Sequence, residues 1–314
     1  MKPLLTLALA LLLSTHLHAQ TSVPQPVIID TDVGDDIDDA FALGLALSSP
    51  DLKILGITSA WGNTQLRARL LDRLLSETGR TDIPVAVGIE AHHKNEGAFS
   101  QARWAERQPA RPHPQSVDFL LQQIKAHPNQ ITLIGIGPLT NVAASFERDP
   151  ATFRKLKRIV IMGGSVRKGY GDKAPTPEYN IAMDPAAAGK VFSAGVPLYV
   201  MPLDSTQIAL DEPTRLRIFT QSKPLTDALA LLYLQWSGTK TFKTPTLFDP
   251  VAVAYAIDPN TCPTTPLRLS VDTLGNTREE AGTPNTFVCL TPHPTAFFQL
   301  YLPRLLGRSQ AAPL

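Results

Sequence analysis

Hydrophobic and polar positions along this chain alternate between two periods. Val27–Asp30, Lys53–Ser59, Ile83–Val87, Gln130–Ile136, Arg158–Met162 and Leu198–Leu203 are short, apolar and rich in β-branched residues, the pattern of buried strands. Between them lie longer segments with apolar positions three and four apart. These are Asp38–Ser48, Thr64–Thr78 with Leu66, Leu70, Leu71 and Leu74 along one face, Ser116–His127, Pro138–Phe146, and a helix opened by Asp184-Pro185. Helices around Pro213–Gln221 and Leu225–Trp236 follow, then one opened by Asp249-Pro250, strands at Leu267–Asp272 and Thr286–Leu290, and a last helix at Thr295–Leu306. This alternation predicts an α/β fold: a single domain with an open, mostly parallel sheet, helices on both faces and a Rossmann-like core. Gly88–His113 and Ser165–Tyr179 have no period, and loops of that length inside a compact domain are usually functional.

Composition changes this picture little. The chain has 314 residues, 43% hydrophobic and 18% charged, with formal net charge +1, an ordinary globular balance. A charge so near zero gives no electrostatic case for binding nucleic acid or a membrane surface. The N-terminus is different. Lys2, the apolar run Leu4–Leu13 and the small residue Ala19 before a polar stretch read as a secretory signal peptide over residues 1–19. The mature domain is then 20–314, exported to the periplasm or beyond and free of the membrane once the signal is removed. In an oxidising compartment Cys262 and Cys289 either pair or remain two buried thiols.

The candidate chemistry concentrates after the first strand. Asp30, Asp32, Asp35, Asp36, Asp38 and Asp39 fall within ten residues, and no Lys or Arg occurs between Lys2 and Lys53 to neutralise them locally. Crowded carboxylates repel unless a cation compensates. Hard oxygen ligands at this spacing suit Ca²⁺ or Mg²⁺ better than a transition metal. Other polar clusters fall at the predicted carboxyl ends of strands: Trp61-Gly62-Asn63, Gly135–Gly137, Gly163-Gly164 and Asp204. In open α/β sheets that rim is where ligands bind.

Taken together, these segments resemble the inosine-uridine-preferring nucleoside hydrolase family over nearly the whole mature chain. The residues that carry the resemblance are Asp30-Thr31-Asp32-Val33-Gly34 with Asp38-Asp39-Ala40, Gly62-Asn63, Gly137-Pro138-Leu139-Thr140-Asn141, Met162-Gly163-Gly164, Glu178-Tyr179-Asn180, Leu203-Asp204 and Asp249-Pro250. The resemblance implies Ca²⁺-dependent hydrolysis of the N-glycosidic bond of a ribonucleoside. Asp32 would ligate Ca²⁺ and act as general base, with Asp39, Asp249 and the backbone carbonyl of Ile136 completing the protein ligands. Asn63, Glu178 and Asn180 would hold ribose hydroxyls, and Asp30 and Asp38 would support the loop beside the substrate. The partner is a small nucleoside, and the resemblance is compatible with a homo-oligomer of two or four chains. Trp61 and Trp104 are candidates either for stacking on the base or for packing.

The chain departs from the family pattern twice. Asp35-Asp36-Ile37 intervenes between Gly34 and Asp38-Asp39, so counting from the strand selects Asp36 as a ligand and counting back from the helix selects Asp39; the helix register favours Asp39. Phe248 stands before Asp249 where family members often carry a His that protonates the leaving base. Arg103, Gln101, Tyr170 and Asp172 are alternative donors, and His92 and His93 lie in the same region of the chain. Two other readings remain. One is a Ca²⁺-dependent riboside binder without turnover; the other is a haloacid-dehalogenase-type phosphohydrolase, for which Asp30-Thr31-Asp32 also fits.

Overall fold

A computed structural model describes residues 23–94, 97–238 and 243–307. The segment read as a signal peptide lies outside them. The described chain begins with β1 (Gln25–Thr31), α1 (Asp38–Leu47), β2 (Leu52–Ser59), α2 (Thr64–Glu77), β3 (Val85–Ala86), α3 (Ala102–Ala105), α4 (Ser116–Ala126) and β4 (Thr132–Ile136). It continues with α5 (Thr140–Arg148), α6 (Pro150–Phe153), β5 (Arg158–Met162), α7 (Tyr179–Ala182), α8 (Pro185–Phe192), β6 (Leu198–Met201), α9 (Leu203–Thr206) and α10 (Glu212–Phe219). The last elements are α11 (Pro224–Ser237), α12 (Phe248–Ile257), β7 (Thr265–Val271), β8 (Thr277–Glu280), β9 (Thr286–Val288) and α13 (Pro294–Leu306).

The nine strands form one sheet in the order β3-β2-β1-β4-β5-β6-β9-β7-β8. All pairs from β3 across to β9 are parallel, and β7 and β8 add an antiparallel edge. Successive side chains of a strand face opposite sides, and the two cores follow that alternation. Val27, Ile29, Ile134, Ile136, Val160 and Met162 join a core with α1, α2, α11, α12 and α13. Ile28, Leu133, Ile159 and Ile161 join the other, with α4, α5 and α8. Burial on both faces is why the central strands read as continuous apolar runs.

The structure departs from the sequence expectations mainly at the margins. β3 contracts to two residues, and Pro138-Leu139 form the turn before α5 rather than its first turn. β8, whose sequence is Thr-Arg-Glu-Glu, has no apolar alternation because it is a largely exposed edge strand. Cys262 and Cys289 are joined in a disulfide with Cα atoms 5.7 Å apart, which ties the end of α12 to the end of β9.

β1 lies between β2 and β4, the strands that lead the chain to opposite sides of the sheet. Such a switch point leaves a crevice beyond the carboxyl ends of the strands. Thr31 pairs with Ser59 on one side and Ile136 on the other, so Asp32 and Ile136 leave the sheet together at the mouth of that crevice.

Candidate active site

Beyond Thr31 the chain makes a loop and re-enters regular structure at Asp38, the first residue of α1. The Thr31 hydroxyl donates to the Asp39 carboxylate and accepts from the Val33 N–H at 3.2 Å, so strand end and helix start are fixed to each other. The principal clamp is Arg67, from the buried face of α2. Its guanidinium donates to the carbonyls of Asp32 and Val33, to the Trp61 carbonyl at 2.8 Å, and to the Asp35 carboxylate at 2.9 Å. Phe99 lies 5.0 Å from that guanidinium and against Gly34. Gly34 has φ +130°, and a Cβ there would collide with the Phe99 ring. Gly137 is constrained by space alone: an added Cβ would sit 2.8 Å from an Asp32 carboxylate oxygen and 2.9 Å from its backbone N. Neither position accepts a side chain without moving the loop.

This loop forms the floor of a cavity of about 340 Å³, within the range of small-molecule sites. Seven carboxylates line it: Asp32, Asp35, Asp36, Asp38, Asp39, Glu178 and Asp249. Ile136, Met162, Asn180 and Leu203 lie deep in the wall, and Tyr170, Tyr179, Trp236 and Phe248 supply aromatic surface. No Lys, Arg or His is among the described residues that line it. Asp38, Asp39 and Asp249 each offer a carboxylate oxygen, the three lying within 4.8 Å of one another. The Asp249 N–H donates to Asp38 at 3.3 Å, which locks the start of α12 onto the start of α1. By donor type and spacing this cluster could hold a metal ion.

Burial raises the carboxyls of Asp32, Asp38, Asp39, Glu178 and Asp249. Asp32 is pushed up to about 7 by desolvation, against the opposing charge of Arg67 and with a further rise from Asp35 and Glu178. Desolvation and then the neighbouring aspartates hold Asp38, Asp39 and Asp249 well above the usual carboxylate range. Glu178 rises to about 7 through burial despite the N–H groups of Asn180, Gly164 and Ile181 that it accepts from as the N-cap of α7. Without a cation, burial and crowding favour the protonated forms of the cluster.

Most of the sequence-derived candidates converge here: Asp32, Asp36, Asp38, Asp39, Ile136, Glu178, Asn180 and Asp249 all line the cavity. The Asn180 carboxamide is oriented by donation to the Met162 carbonyl at 3.1 Å. Of the rival ligands, Asp39 is in the three-carboxylate cluster, whereas Asp36 is exposed and its carboxylate accepts from the Ile37 N–H at 2.7 Å.

Five candidates are placed elsewhere. Asn63 lies outside the cavity as the N-cap of α2, accepting from the Leu66 N–H at 2.9 Å, so the Gly-Asn pair is a helix start. Asp30 is wholly buried beneath the loop, accepting from the Thr58 hydroxyl and from Asn141 at 2.8 Å; its role is support. That placement also removes the phosphohydrolase reading, which needs both Asp30 and Asp32 in the site. Trp61 and Trp104 are each 3% exposed and are packing residues, Trp104 beneath Arg73 at 4.2 Å. Asp204 accepts from the N–H groups of Val166 and Arg167, a structural role.

Among the alternative donors only Tyr170 lines the cavity. Gln101 instead donates to the Asp36 carbonyl, and Asp172 pairs with Lys168 at the surface. Sequence reasoning missed Arg67, Tyr179 and Trp236. Arg67 had a legible signal, a cation at a position where the α2 periodicity turns inward; the other two did not stand out from ordinary aromatic positions.

Residues 27–299 match the family description inosine-uridine preferring nucleoside hydrolase. The chain belongs to that family. The pyrimidine-specific ribonucleoside hydrolase RihA of Citrobacter koseri is 33% identical over 270 residues, which is 80% of this chain and 85% of the relative. A plant nucleoside hydrolase, PpNRh1, superposes with TM-score 0.80 at 27% identity, over 90% of this chain and 99% of the plant one. The purine-preferring ribonucleoside hydrolase of Gardnerella vaginalis gives TM-score 0.73 at 25% identity, over 92% and 100% of the two chains. The cavity is therefore that of a nucleoside hydrolase, an enzyme that cleaves the N-glycosidic bond. Among the described residues of this hydrolase no helix is long and apolar enough to cross a membrane.

Proposed function

We propose that this chain hydrolyses ribonucleosides to free base and ribose using Ca²⁺ held by Asp32, Asp39, Asp249 and the Ile136 carbonyl. The observation that carries the proposal is that two of these ligands, Asp39 and Asp249, lie with Asp38 in a buried three-carboxylate cluster on the floor of a cavity whose described lining has no cationic side chain, with Asp32 and Ile136 lining the same cavity. Oxygens bound to one Ca²⁺ at about 2.3–2.6 Å lie within roughly 5 Å of each other, which the cluster satisfies. Its donors are all oxygen, so the chemistry of the set favours a hard cation.

Bound Ca²⁺ supplies charge that offsets the carboxylates and lowers the pKa of water at the site. Asp32, anchored through its carbonyl to Arg67, accepts the proton of the attacking water. Asp38, Glu178 and Asn180 hold sugar hydroxyls from the starts of α1 and α7. As the base departs, positive charge develops on the ribose, and the surrounding carboxylates favour it. The signal pattern of residues 1–19 and the Cys262–Cys289 disulfide support export to the periplasm or beyond.

Thermal unfolding tests the cation. The raised carboxyls mean that the folded, cation-free chain keeps protons that the unfolded chain releases above about pH 4. Stability of the cation-free form therefore falls as pH rises through about 7. Ca²⁺ displaces those protons, so its stabilising increment grows with pH. At a hundredfold excess over Kd the increment is ~2.7 kcal/mol, or ~5–10 °C in Tm. It is expected to be larger at pH 8 than at pH 5. Equal unfolding temperatures with Ca²⁺ and with chelator at both pH values would rule the site out.

A further inference from the structure

The three-tryptophan chain has one indole at the cavity. Trp236, in the last turn of α11, is half-buried and lines the cavity together with Phe248, at the start of α12. Its ring is held from several sides. The Lys243 ammonium lies 3.6 Å from the ring centroid, and Tyr233 packs at 5.9 Å. The Lys243 backbone is itself fixed, its carbonyl accepting from the Tyr233 hydroxyl at 2.8 Å. Asp36, one of the residues inserted between Gly34 and Asp38, faces this pair: desolvation raises its carboxyl, opposed by the Ile37 N–H, the Lys243 charge and a hydrogen bond from the Trp236 indole. The Asp36 backbone is fixed by Gln101, which donates to its carbonyl at 2.8 Å.

We propose that Trp236 is the stacking platform for the nucleobase of the substrate, with Lys243 and Asp36 as positioning residues that fix the indole plane. The inference rests on the nucleosidase reading above and assigns the base end of the same cavity. The floor is all carboxylate and recognises cation and sugar, so the flat heteroaromatic half of the substrate is left to the aromatic wall. Aromatic faces bind bases with little dependence on base identity. The role also accounts for Asp36, which lines the cavity without joining the carboxylate cluster.

The experiment compares wild type, Trp236→Leu, Trp236→Phe and Lys243→Met, each saturated with Ca²⁺, for KM on uridine and inosine and for inhibition by free ribose. Trp236→Leu is expected to raise KM roughly ten- to hundredfold, with the ribose inhibition constant unchanged. Trp236→Phe restores most of the loss, and Lys243→Met falls between. Nucleoside addition quenches tryptophan emission in wild type and not in Trp236→Leu, because Trp61 and Trp104 are buried. A KM within twofold of wild type, a parallel rise in the ribose constant, or quenching that persists in Trp236→Leu overturns the assignment. Absence of base release by wild type would instead overturn the nucleosidase reading, and the quenching titration would still report on Trp236.

Discussion

Replacing Asp32 by Asn is expected to lower kcat for base release by at least ~10²–10⁴-fold, the usual contribution of a positioned general base. The substitution keeps the shape of the side chain and removes its basicity. It also removes one member of a group of buried acids whose charges oppose one another. In chelator, the variant should therefore unfold at a temperature equal to or above that of wild type, while its activity is lost. Steady-state base release and thermal unfolding in chelator measure the two arms. Base release at the wild-type rate would show that Asp32 does not take the proton.

The second large effect is structural and concerns Arg67. Arg67→Met keeps the aliphatic packing of α2 but leaves the carbonyls of Trp61, Asp32 and Val33 without their donor and Asp35 without its ion pair. The Arg67 and Asp35 side chains are 3% and 11% exposed, so the pair is close to fully desolvated. Removing one partner of such a pair costs ~3–5 kcal/mol. The loss is expected in denaturant unfolding of both the cation-free and the Ca²⁺-loaded protein, with a weaker apparent affinity for Ca²⁺ because the loop that presents Asp32 and Asp39 is no longer held. A stability change under ~1 kcal/mol would mean that the loop is maintained by its other contacts.

The sheet was legible because its central strands are buried on both faces and therefore appear as unbroken apolar runs, as in Arg158–Met162. The antiparallel edge was not, because β8 is polar throughout. Within the site, Asp32, Asp39, Asp249, Glu178 and Asn180 were legible as cavity-lining residues because each stands at a strand or helix end, where a polar side chain has few structural alternatives. Asn63 misled for a related reason: a residue after Gly at a helix start suits an N-cap as well as a substrate contact, and sequence does not separate the two. Trp61 and Trp104 were candidates on residue type, yet burial decides their role and Trp236 holds the exposed position. Between Asp36 and Asp39 the helix register favoured Asp39, and three-dimensional placement agrees, since only Asp39 joins Asp249 in the carboxylate cluster.

Chain-specific chemistry remains concentrated at the aromatic wall. Phe248 occupies the position before Asp249, and the described cavity lining has no His to protonate a departing base. Tyr170 is the one alternative donor from the sequence that reaches the cavity; its hydroxyl accepts from the Tyr179 N–H at 3.2 Å and its ring meets Phe248 edge-on at 6.2 Å. Tyr170, Phe248 and Trp236 thus line the same cavity as the carboxylates.

The central claim is cation-dependent cleavage of the N-glycosidic bond, and the most direct measurement is release of free base from a panel of purine and pyrimidine ribonucleosides. The assay is run on the purified mature chain with Ca²⁺, after chelation, and after Ca²⁺ is restored. The account predicts release of base and ribose in equal amounts, its loss on chelation and its recovery on restoring Ca²⁺. Undiminished release in the presence of a chelator that strips bound Ca²⁺, or no release from any nucleoside by the Ca²⁺-loaded chain, would contradict it.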